Sequence, residues 1–246
     1  MAEARLFPNV QRVEKLLRAK YELSRLGNKA KPLDELVYMI LSGRASESQY
    51  KAIYDTFKKR FPRWSDVADA SLAELAAAIP TTGQARQKAR HLRALMRKLR
   101  RDFGRVSLTP LEKMTTEEAE NYLCSLPGVN RRAARCVLMY SLDRPVFPSD
   151  RHCLRIMSRL GWIDCRGISP REIVESVQRG DRIATYIADT AQEGIPPPLR
   201  HPLHVFFVQH GQAICQLQPR CDECVLRKLC PRIGVVQEEE TPPASA

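Results

Sequence analysis

With 246 residues, of which 43% are hydrophobic, the chain can bury the core of one large domain or two moderate ones. No apolar stretch reaches the roughly eighteen residues that cross a bilayer, and Met1 to Asn9 lack the basic-then-apolar order of a secretory leader, so a cytoplasmic, nucleoid-associated protein with no membrane span is predicted. Forty Lys and Arg against 28 Asp and Glu leave a net charge of +12, which fits a polyanionic partner such as nucleic acid and equally a merely soluble basic protein.

Apolar residues recur at intervals of three and four over 10–26, 33–43, 47–61, 83–103, 115–126, 131–142, 151–160, 170–178 and 202–214, which predicts an all-α chain. Ser71 with Glu74, Thr115 with Glu118, and Ser169 with Glu172 form capping boxes, the last with Pro170 at the first helical position; Ser46 with Gln49 is a fourth candidate. The basic run Arg97, Lys98, Arg100 and Arg101 reads as a solvated helix face. Glu193 to Pro198 breaks helix and predicts a loop, and Val236 to Ala246 predicts a disordered tail. Trp64 and Trp162 read as core. Cys124, Cys136, Cys153 and Cys165 are scattered through helical segments and read as buried, reduced thiols.

Two segments carry chemistry. In Leu126-Pro127-Gly128-Val129-Asn130-Arg131-Arg132, a helix ends, Pro127 and Gly128 turn the chain with Gly128 free to take positive φ, and a second helix begins. Asn130 can also tolerate the left-handed region. Such a turn offers backbone N–H groups and a helix N-terminus to a phosphate oxygen. Ala133 and Ala134 are small enough for the two helices to pack closely. The second segment is Cys215, Cys221, Cys224 and Cys230, spaced C-x5-C-x2-C-x5-C. Four thiolates within sixteen residues can surround a [4Fe–4S] cluster or a zinc ion, or stay unliganded; a single tight pair rather than two knuckles favours the cluster.

The hairpin, then Phe147-Pro148-Ser149-Asp150-Arg151-His152, then the cysteine loop, resemble in order and separation the endonuclease III family of helix-hairpin-helix DNA glycosylases, over residues 30 to 231 or so. The resemblance implies two helical domains flanking a groove for double-stranded DNA. One is a six-helix barrel with the hairpin, 32–143; the other joins 1–31 to 144–235 and holds the [4Fe–4S] cluster in a positioning role. It implies a monomer that flips a base out of the duplex and cuts its bond to the sugar.

On that resemblance Asp150 is the catalytic aspartate. A carboxylate beside C1′ can stabilise an oxocarbenium-like transition state and activate water, and Asp150 can also cap the helix over 151–160. Bifunctional members carry a Schiff-base lysine where this chain has Arg132, and a glycine where it has Asn130. Guanidinium stays protonated and is a poor nucleophile, so hydrolysis without strand cleavage is expected. No lysine occurs between Lys113 and Lys228, and a lyase would need a lysine from elsewhere, Lys113 being nearest in sequence. Arg132 could instead contact a phosphate, pair with Asp150 or reach the flipped base.

Leu41-Ser42-Gly43-Arg44-Ala45-Ser46 resembles the loop whose glutamine fills the gap left by the flipped base. Arg44 stands there, as a wedge or a phosphate contact. His152 matches a histidine that supports local structure. The first cysteine spacer is one residue shorter than the family pattern, a change a loop absorbs. The rival reading is a protein that binds distorted DNA without cutting it; retention of Asp150 argues against it. The sequence leaves the lesion open among oxidised pyrimidines, mismatched uracil or thymine, and alkylated purines.

Overall fold

The computed structural model describes residues 6–42, 47–79, 84–163 and 182–235. Arg44, Cys165, the helix expected over 170–178, the caps at Ser46 and Ser169, and the C-terminal tail lie outside them. The described residues form α1 (Val10–Arg18), α2 (Pro32–Ser42), α3 (Glu47–Arg60), α4 (Trp64–Asp69), α5 (Leu72–Ala77), α6 (Ala85–Phe103), α7 (Thr116–Cys124), α8 (Arg131–Leu142), α9 (Arg151–Arg159), α10 (Arg182–Glu193) and α11 (Pro197–Ala213). Short 3-10 turns cover Thr109–Lys113 and Cys221–Glu223, and the described residues contain no strand. No helix among them is long and apolar enough to cross a membrane.

Local signals account for most boundaries. Ser71 and Thr115 start α5 and α7 with complete capping boxes, each hydroxyl accepting the amide three residues on while Glu74 or Glu118 reaches back to the cap amide. Helix α1 stops at Arg18, well short of residue 26, and Leu26 and Gly27 both take positive φ in the connection that follows. Helix α11 starts at Pro197, earlier than expected, because the first helical positions have no use for an N–H and proline supplies the right φ. The break at 193–198 is therefore only a short turn after Glu193, and Pro202 sits inside the helix. Helices α4, α5 and α10 were not singled out by apolar spacing; α4 and α5 are six residues each, too short for a repeat to stand out.

Helix α2 packs along α8, α3 and α6; α6 also carries α4 and α5, and α7 lies against α8. Separately, α11 packs against α1 and α9. The N-terminal segment is pinned to this second group: Phe7 donates its N–H to the Gly194 carbonyl at 2.9 Å, and its ring stacks on Trp162 at 5.0 Å. Trp162 is buried as expected, whereas Trp64 is half-buried and donates Nε1–H to Asp34. Cys136 and Cys153 are buried, but Cys124 is exposed at the end of α7, a correction to its reading as a buried thiol.

An ion network ties α7, α8 and α10 together. Arg135, only 2% exposed, donates to Glu120 at 3.1 Å, to Asp189 at 2.8 Å and to the Ala188 carbonyl at 2.9 Å. Arg131, one turn earlier, meets the same two carboxylates at 2.5 and 3.1 Å. Removing one side of a buried charge network strands the other, at a cost of about 3–5 kcal/mol. Arg135→Met should therefore lower the unfolding free energy by about 3 kcal/mol in a denaturant titration, and a change under about 1 kcal/mol would show that the network is dispensable.

Candidate nucleic-acid interface and active site

The hairpin forms as its residues require. Gly128 adopts φ +79°, and a Cβ there would lie 2.5 Å from Nδ1 of His91 on α6, so both conformation and space demand glycine. Leu126 is buried and anchors the turn in the core, Val129 packs half-buried against it, Pro127 is half-buried and Gly128 is exposed. Asn130 does not use the left-handed region: at φ −98°, ψ 168° it is the N-cap of α8, its Oδ1 accepting the Ala133 amide at 2.9 Å. Val129 N–H is spent within the turn on the Leu126 carbonyl. Among the described residues, the N–H groups of Gly128, Asn130, Arg131 and Arg132 have no partner, so the head of α8 carries a cradle of free amides of the kind that can take an anion. The Arg131 side chain is turned away into the Glu120–Asp189 network, which leaves its amide rather than its charge at the cradle.

Asp150 caps α9. Its Oδ1 accepts both the His152 amide at 2.9 Å and the Cys153 amide at 2.8 Å, leaving Oδ2 outside the cap. Burial works against the charge, but His204, His152, Arg132 and the Cys153 amide favour it and hold the carboxyl below its ordinary value. Burial drives His204 down to about 4, and its Nδ1 donates to the Pro148 carbonyl at 2.7 Å. At neutral pH the permanent cation in the field of Asp150 is therefore Arg132.

Arg132 occupies the position expected of a lysine, yet forms no ion pair with Asp150 and no hydrogen bond among the described residues; its Nε is sealed from solvent without a partner. Lys113, the nearest lysine in sequence, is exposed at the end of its 3-10 turn. Lys88 is buried and donates to the Leu41 carbonyl at 2.6 Å, where it anchors the end of α2 beside the segment that contains Arg44.

His152 packs on Gly211, where any Cβ would meet its own at 2.7 Å, and its Nδ1 lies 3.0 Å from Arg155 Nη2. Helix α9 then reaches the cysteine loop. Arg155 donates to the Cys215 and Gly211 carbonyls at 2.7 and 2.8 Å. Arg159 donates to Cys215 Sγ at 3.1 Å and to the carbonyls of Gln216 and Leu217. Cys215, Cys221, Cys224 and Cys230 line one cavity, joined there by Arg159 and Arg227. Leu226 N–H donates to Cys224 Sγ at 3.4 Å, and His210 Nε2 lies 3.4 Å from the same sulfur. Among the described residues, no three His, Cys, Asp or Glu side chains stand close enough to hold a single metal ion.

Sequence reasoning passed over Glu35, Tyr140 and His204. Tyr140 could have been found at four-residue spacing from Arg132 and Cys136 on one face of α8, and Glu35 as a carboxylate in the otherwise apolar run of α2. Nothing in the sequence pointed to His204, which comes to Asp150 from α11.

The comparisons with known proteins agree with this geometry. The family model for HhH-GPD superfamily base excision DNA repair protein matches residues 37–182. The chain is 28% identical to the putative DNA glycosylase At3g47830 of Arabidopsis thaliana, over 85% of this chain and 64% of that protein, so it spans under two thirds of that relative's length. It is 29% identical to endonuclease III of Thermotoga maritima, over 81% of this chain and 82% of that one. In fold it is similar to a non-covalent endonuclease III–DNA complex (TM-score 0.69, 21% identity, 91% of this chain and 95% of that one) and to a thermostable thymine-DNA glycosylase (TM-score 0.67, 18% identity, 91% and 94%). The family model covers more than half of the chain, and its limits enclose the amide cradle, Arg132 and Asp150: the chain belongs to the HhH-GPD superfamily of base excision DNA repair proteins.

Proposed function

We propose that the chain is a monofunctional DNA glycosylase: it binds duplex DNA, turns a base out of the helix and hydrolyses its N-glycosidic bond without cutting the strand. The observation that carries this reading is the pairing of an ionised, cap-locked Asp150 with an unpartnered Arg132 where a Schiff-base amine would stand. The amides of Gly128, Asn130, Arg131 and Arg132 would take a backbone phosphate, positioning the duplex without reading its sequence. As the base departs, positive charge grows on the sugar, and Asp150 stabilises it. Water then adds at C1′, its proton passes to the carboxylate, and the base leaves with the bonding pair. A depressed pKa makes Asp150 a modest base and a strong electrostatic stabiliser. Arg132 cannot form an imine, so no covalent intermediate and no elimination follow. Residues 32–143 would form one domain and 1–31 joined to 144–235 the other, flanking the DNA in a monomer.

The four cysteines fit a [4Fe–4S] cluster. They share one cavity, and N–H groups of Arg159 and Leu226 point at sulfur, as suits thiolate ligands. When bound, the cluster would clamp the loop; the chain's own contribution is α9, which joins that loop to Asp150.

Incubation with a panel of single-lesion duplexes should give strand breaks only after alkali, with Asp150→Asn at least ~100-fold slower and DNA affinity retained. Borohydride trapping of a covalent adduct would overturn the monofunctional reading, and equal inactivity of both proteins on every substrate would favour a non-catalytic binder. Gly128→Ala should weaken DNA binding about tenfold or more, as loss of one or two charge-assisted bonds predicts, at unchanged helical content. Protein purified without oxygen should contain iron and sulfide in equal amounts, and Cys224→Ala should lose both; stoichiometric zinc instead would replace the cluster in this reading.

A further inference from the structure

Helix α6 carries eight Lys and Arg and one carboxylate, Asp102, close to its C-terminal end. The cations of its C-terminal half are spent within the protein. Arg97 donates to the Ala68 carbonyl at 2.8 Å, and Arg100 binds both Asp69 oxygens, at 2.9 and 2.8 Å, and the Ser65 carbonyl. Lys98 pairs with Asp102 at 2.7 Å, and Arg101 approaches the same carboxylate at 3.5 Å. The start of the helix differs. Arg86 and Arg90 are exposed, stand one turn apart, and have no hydrogen-bond or ion-pair partner among the described residues. The first turn of α6 holds no acidic residue. A cation there adds to the positive end of the helix dipole, a cost that nothing in the chain offsets and that a polyanion would.

These two turns lie between two features that the glycosylase reading puts on DNA. Lys88 holds the Leu41 carbonyl at 2.6 Å, at the end of α2 and just before the segment that contains Arg44. His91 packs under Gly128, beside the free amides at the head of α8. Arg90 directly precedes His91, and Arg86 stands one turn earlier. A duplex in contact with both features therefore runs across the start of α6.

Resting on the glycosylase reading above, we propose that Arg86 and Arg90 hold backbone phosphates of the duplex beyond those taken by the hairpin, as a second anchor that is blind to sequence and to lesion. A guanidinium offers a phosphate two parallel N–H bonds, and an untied one breaks no internal bond to do so. Each phosphate neutralised releases counterions, so the anchor shows as salt dependence. The run from Arg97 to Arg101, more conspicuous in the sequence, takes no part, because its cations are already paired. Arg100 also lies about 15 Å along the helix from Arg90, more than the Debye length of roughly 8 Å at physiological salt.

The test measures affinity for a duplex with a tetrahydrofuran abasic analogue, and for the same duplex intact, from about 50 to 200 mM KCl. Arg86→Gln combined with Arg90→Gln should flatten the slope of log affinity against log salt by about 2 and weaken both duplexes alike, about tenfold or more at the low-salt end. Arg86→Lys combined with Arg90→Lys keeps both charges and should keep the slope. Arg100→Gln combined with Arg101→Gln removes as much charge and should leave the slope as in wild type. An unchanged slope in the first variant, equal flattening in the last, or a loss confined to the abasic duplex overturns the assignment. Since Arg86 and Arg90 make no internal bond, their variants should keep the helical content of wild type in far-ultraviolet circular dichroism. A wild type that binds the abasic analogue no better than intact duplex would sink the glycosylase reading itself, whatever the arginines do.

Discussion

The two amide bonds that Asp150 accepts at the start of α9 are the contacts on which the candidate site depends. They fix one carboxylate oxygen, leave the other outside the cap, and supply part of the stabilisation that keeps the group ionised in a buried setting. They also define where α9 begins, and from that start the side chains of Arg155 and Arg159 fall, at four-residue spacing, onto the cysteine loop. One nine-residue helix thus has a carboxylate at its head and the supports of a four-thiol cavity along its side.

On the opposite side of Asp150 lies α8, whose own N-terminus is organised differently. Asn130 caps it with one bond and leaves the first amides open, while Gly128 closes the turn against His91 of α6. The first two arginines of α8 divide the work. Arg131 is pulled into the Glu120–Asp189 network and becomes structural; Arg132, one position on, faces Asp150 with no partner. A guanidinium whose Nε is sealed from solvent without a partner costs free energy, and here it stays apart from the carboxylate beside it.

Much of this was legible in the chain. The 3.6-residue periodicity located most of the longer helices, and two capping boxes placed starts correctly because their bonds are local and complete within four residues. The hairpin was legible because only glycine tolerates the geometry at 128. Proline at 197 misled, since the same residue that breaks a helix interior begins a helix well. Helix α4 escaped, and α5 was marked by its capping box alone, because six residues hold too little periodicity.

The sequence by itself determined the helical class, the amide-bearing turn, the four clustered thiols and an arginine, not a lysine, at position 132, since each depends on residue type at short range. Only the tertiary structure decided that Arg131 is paired and Arg132 is not, that His204 from α11 stands beside Asp150, and that Glu35, Arg132 and Tyr140 each bury a polar atom without a partner. Those outcomes depend on how distant helices pack, because burial and the choice of charge partner are properties of a three-dimensional neighbourhood that spacing along one helix cannot encode.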